Sequence, residues 1–61
     1  MKSELERIAD ARHDGVSSKD GLLWVQDAMV PLPHADALAR VYGFVWAEDL
    51  VRALAIPASP P

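Results

Sequence analysis

Cysteine is absent from the 61 residues, which removes disulfides, thiolate metal sites and thiol nucleophiles together. Asn and Thr are missing as well, and Ile and Lys occur twice each against ten alanines. GC-rich bacterial or phage coding produces that kind of bias. Basic charge is also scarce: six Lys and Arg stand against nine acids, for a net charge of −3. No basic patch for duplex nucleic acid or an anionic membrane is therefore expected. No apolar run approaches the roughly 18 residues of a membrane span. Met1-Lys2-Ser3-Glu4 runs into acids with no hydrophobic stretch behind it, unlike a signal peptide, so a cytoplasmic location is expected. Gly15, Gly21 and Gly43 are isolated and form no phosphate-cradling loop. Internal repeats and low-complexity tracts are lacking too.

What is present reads as one small globular unit. Apolar residues make up 51 % of the chain and charged residues 25 %, which is outside the range of a disordered acidic segment. Surface scaling gives a folded area of roughly 3,900 Å² against about 9,700 Å² extended, so folding hides only about 60 % of the surface. A chain this short without disulfides normally leans on a metal or a partner. A single domain is expected over 1–56, with a proline-rich tail over 57–61.

Helical signals dominate. Ser3 followed by Glu6 forms a capping box, and Leu5, Ile8, Ala9 and Arg12 fall on one side of the helix it opens. Gly15 suits the position after the helix, with Val16 as its hydrophobic contact. Residues 19–32 are ambiguous. A helix over Leu22–Val30 is favoured; the alternative is a hairpin turning at Asp27-Ala28, whose residues are poor for a two-residue turn. Pro31 and Pro33 then break the chain, and Pro33 fits the first position of a helix with Ala35, Leu38, Ala39 and Tyr42 on its apolar side. Gly43 stops that helix, and Trp46–Ala55 reads as a last one before Pro57. The expected fold class is all-α: a compact domain of three to four short helices, the last two forming a helix-Gly-helix corner.

Two segments carry more apolar circumference than such a domain can enclose. Residues 22–30 and 46–55, read as helices, are apolar around more than half their surface, and each holds a Trp. Excess surface of this kind marks an interaction site, and Trp and Tyr are enriched at binding hot spots. The expected protein-binding residues are Trp24, Trp46, Leu23, Leu50, Leu54, Tyr42 and Arg12. Stacking of Trp24 on Trp46 inside one monomer is the competing reading. For Arg12, on the apolar side of the first helix, snorkelling is favoured over an ion pair across a contact. The partner is another protein, a second copy of the chain, or both, and the role expected is that of a small acidic adaptor or inhibitor.

Chemistry is sparse. Asp10, His13 and Asp14 stand at i, i+3 and i+4, but such a trio is ordinarily a solvated face, and no second cluster completes a metal shell. His34 lies close to Asp36 with no nucleophile beside the pair. No enzyme, metal or cofactor is expected, and no small-molecule substrate. Residues 35–54 resemble a helix-turn-helix, with Ala39 and Gly43 at its spacing of small residue and turn glycine. The resemblance implies a nucleic-acid-associated regulator, or a non-binding relative that pairs with one, with Arg40 and Arg52 as the contacts. Glu48, Asp49 and Trp46 occupy positions where that motif carries base-edge donors and a small cap. A structural component of a larger bacterial or phage assembly is a further alternative.

Overall fold

The computed structural model describes residues 1–55, so the tail expected over 57–61 lies outside the described residues, as does Ile56. The all-α expectation is overturned. Three helices and a three-stranded antiparallel sheet follow one another as α1 (Glu4–His13), β1 (Val16–Lys19), β2 (Leu22–Val25), β3 (Ala28–Met29), α2 (Leu32–Val41) and α3 (Ala47–Ala55), an α+β fold with strand order β1-β2-β3.

The sheet replaces the helix expected over 22–30, and local turn chemistry explains why. Asp20 and Gly21 have φ values of 56° and 75°, the left-handed pair that a two-residue type I′ turn demands. The turn sets Lys19 opposite Leu22 and Val16 opposite Val25. A second tight turn at Gln26-Asp27, with Gln26 at φ 57°, pairs Trp24 with Met29. As strands, the apolar run divides between two faces. Val16, Leu23 and Val25 point into the core, whereas Trp24 and Met29 lie on the outer face.

The helices start and stop largely where their caps place them. Ser3 Oγ accepts from the Glu6 N–H at 3.2 Å, and the Glu6 carboxylate accepts from the Ser3 N–H at 3.2 Å. Phase is a different matter: Ile8 and Ala11 are the buried pair of α1, while Leu5 and Ala9 face outward. The packed stripe is rotated because the α2–α3 corner docks beside Arg7, on the far side of Ile8 from Leu5. Helix α2 begins at Leu32, with Pro33 its second residue, and buries Ala35 and Ala39 as expected. It ends in a Schellman arrangement, in which the Phe44 N–H donates to the Ala39 carbonyl at 3.0 Å and the Gly43 N–H to Arg40 at 3.1 Å. Gly43 takes φ 84° there. A β-carbon at that position would stand 2.6 Å from Cδ of Arg7, so conformation and space both require glycine.

Helix α3 is central, packing against α1, α2, β1 and β2. The core is built from small residues, Ala11, Ala35, Ala39 and Ala53, around Ile8, Val16, Phe44 and two large fully buried side chains, Leu23 and Leu50. Alanines at these crossings let the helices approach closely enough to sandwich those two leucines.

Candidate protein-binding surface

The excess apolar surface expected from the sequence is partly absorbed by the sheet and by the central position of α3; of the large apolar residues that stay exposed, Met1, Leu5, Met29 and Leu32 lie elsewhere, and Val41, Val45 and Trp46 lie at the α2–α3 corner. Leu23 and Leu50, 1 % and 0 % exposed, are core residues; the docking face expected from the sequence cannot include them. Leu54 is half-buried against that core. The Arg12 side chain reaches the last turn of α3, where its Nη2 lies 3.5 Å from the Leu54 carbonyl and the helix dipole is negative. Both residues thus have partners within the fold.

Tyr42, the C-cap of α2, is also half-buried against the core. Its hydroxyl donates to Asp14 Oδ2 at 2.7 Å, tying the end of α2 to the end of α1. Burial, and after it the acceptor carboxylate, push the phenol up to about 12.

The two tryptophans part company and do not stack on each other. Trp24 lies on the outer face of the sheet, donating from Nε1 to the Lys19 carbonyl at 3.2 Å with the Lys19 ammonium 5.9 Å from its ring centroid. Trp46 occupies the residue before α3, on a helix that packs against the inner side of the sheet. It is 56 % exposed, and the nearby Val41 and Val45 are 72 % and 58 % exposed. The Arg40 guanidinium lies 5.7 Å from the Trp46 centroid and donates through Nε to the Val45 carbonyl at 3.1 Å. Arg40 thus bridges the indole and the backbone before it, while more than half of Trp46 faces water.

An acid fixes the same corner. Trp46 offers no side-chain oxygen to the first amides of α3, and Asp36 supplies one from α2: its Oδ1 accepts from the Ala47 N–H at 2.7 Å. Nothing local in the sequence signals this cap, because donor and acceptor are eleven residues apart.

Two concavities are lined by neighbours of Trp46, though not by the indole itself. Ala47 enters an apolar groove of about 500 Å³, walled by Leu22, Val30, Leu32 and Val51. Arg40 enters a cleft of about 610 Å³ whose charged lining is Lys2, Arg7, Asp10, His13 and Asp14. Asp10 in that cleft pairs with Lys2, and its carboxylate raises the pKa of the Lys2 ammonium. Asp10 and Asp14 are thus engaged with Lys2 and Tyr42, and among the described residues no group of three such side chains is placed to hold a metal ion. Asp36 is turned to Ala47, and among the described residues no hydrogen bond joins it to His34.

Of the basic residues expected for nucleic acid, Arg52 pairs with Glu48 and Arg40 is committed to Val45 and Trp46. No helix among the described residues is long and apolar enough to cross a membrane. No family model, curated protein or solved structure matches the chain.

Proposed function

We propose that this chain is a protein-binding module of the adaptor or inhibitor type, docking through the α2–α3 corner with Trp46 as its anchor. One observation carries the reading: Trp46 remains more than half exposed, beside exposed Val41 and Val45, in a chain that buries Leu23 and Leu50 completely. An indole fixed by Arg40 loses little conformational freedom on binding, which favours a hot-spot role. Trp24 is not part of this face. No catalytic step belongs to the reading.

The nucleic-acid alternative has less support. The helix-Gly-helix corner is present, but the first turn of its second helix carries Glu48 and Asp49, which repel phosphate.

The test is selection of short random peptides displayed against the full chain. Wild type is expected to enrich a related set of sequences that Trp46→Ala, still folded by its urea transition, does not retain. Failure of the wild type to enrich any set, or equal retention by Trp46→Ala, removes the reading.

A further inference from the structure

The two arginines at this corner are anchored by aromatic rings and backbone, with no acid attached to them. The Arg7 guanidinium lies 5.2 Å from the Phe44 centroid, against the Gly43 backbone, and its buried Nε has no hydrogen-bond partner. Arg40 rests on Trp46 in the same way. The ion pairs among the described residues are Lys2–Asp10 and Arg52–Glu48, so neither Arg7 nor Arg40 has a carboxylate partner. This is unexpected in a chain with nine acids and six bases, where a base has acids to spare.

Both arginines line the 610 Å³ cleft. Of the two carboxylates there, Asp10 is held by Lys2 and Asp14 accepts from Tyr42. Arg7 also lines a second hollow, together with Glu4, Asp49 and Arg52, and among the described residues no ion pair joins it to either acid. The cleft that Arg40 enters from Trp46 therefore carries three bases against two acids, with Lys2 and Asp10 neutralising each other, so that its charge is slightly positive in a chain that is acidic overall. Exposed Val41 lines the cleft and exposed Val45 the second hollow, with Gly43 common to both.

Resting on the reading of Trp46 as a docking anchor, we propose that the partner presents an acidic amphipathic segment, with apolar side chains against Val41, Val45 and Trp46 and carboxylates on Arg7 and Arg40. Guanidinium groups pre-positioned by stacking accept a carboxylate at little entropic cost, and the planar fork favours two-point contact. A second copy of this chain is the competing occupant.

The peptide selection tests this separately from the anchor. Enriched sequences are expected to carry Asp or Glu among Leu, Ile or Phe. Their affinity for the full chain, by calorimetry, is expected to fall about tenfold in Arg7→Gln and again in Arg40→Gln. It is also expected to weaken as salt rises. Arg7→Gln leaves the Arg40–Trp46 pair in place, so it separates charge recognition from placement of the indole. Arg7→Lys is expected to recover only part of the affinity, because charge returns without the fork. Neutral or basic enriched peptides, or undiminished affinity in Arg7→Gln with loss in Trp46→Ala, would overturn the acidic partner and leave the docking face standing. Concentration-dependent sedimentation of the chain that Trp46→Ala abolishes and Arg7→Gln does not would overturn it in favour of a second copy. Absence of any enrichment by wild type would remove both.

Discussion

Replacing Asp36 by Ala removes the acceptor at the start of α3, and its cost can be worked out from the structure. The Ala47 N–H loses a 2.7 Å bond from a side chain outside its own helix. Loss of a helix cap costs about 1 kcal/mol, and loss of negative charge at a helix N-terminus adds about 0.3–1 kcal/mol. Together these give roughly 1–2 kcal/mol. For a domain of this size that corresponds to a Tm lower by about 5–15 °C, or a urea midpoint lower by about 1–2 M. Urea titration followed by circular dichroism reads it directly. Asp36→Asn keeps an oxygen acceptor but loses the charge, so it is expected to fall between wild type and Asp36→Ala. The effect should also reach the docking face. Ala47 follows Trp46, and fraying of the first turn of α3 would loosen the indole from Arg40 and shift its emission. A change under about 0.3 kcal/mol in Asp36→Ala, or equal losses for Ala and Asn, would refute the cap.

Three further outcomes are expected. Leu50→Ala empties the centre of the core and is expected to cost about 2–5 kcal/mol, enough to unfold a chain of this size in thermal melts, whereas Trp46→Ala loses only an exposed cation–π contact and about 1 kcal/mol or less. Gly43→Ala combines a left-handed backbone with a contact against Arg7; a loss of about 2 kcal/mol is expected by denaturant titration, and a neutral result would contradict the Schellman corner. Tyr42 has a folded-state pKa near 12, above its ordinary value near 10. Its contribution to stability is therefore complete below pH 10 and lost as pH rises through about 12. Spectrophotometric titration of the phenol should show that midpoint, Asp14→Asn should lower it, and ionisation near 10 in the folded chain would count against both the burial of Tyr42 and its bond to Asp14.

Features dictated by neighbouring residues were legible in the sequence. The Ser3–Glu6 capping box, the stop at Gly43 and the apolar side of α2 all appear in the fold. The second hairpin enters the sequence reading only as the alternative, with its turn at Asp27-Ala28 one residue late, and the first is missed although Asp20-Gly21, a strong short-range hairpin signal, forms its turn. Strands of four residues offer too little alternation to outweigh a helical reading of Leu22–Val30. That error propagated to the site. A helix placed Leu23 and Trp24 on one exposed patch, whereas a strand sends Leu23 inward and Trp24 outward. The apolar excess of its own segment is what points to Trp46, which the fold leaves exposed. The settings of Asp36, Arg7 and Arg40 depend on which elements meet across the corner, and no local pattern encodes that.

Acrylamide quenching of Trp46 as the sole indole, in a Trp24→Phe chain, tests the central claim most directly. Emission is expected to be quenched readily when the chain is dilute and alone, and to become shielded when a selected peptide is added. An indole already protected in the isolated monomer would make Trp46 a core residue, and quenching unchanged by a bound peptide would place the docking face elsewhere.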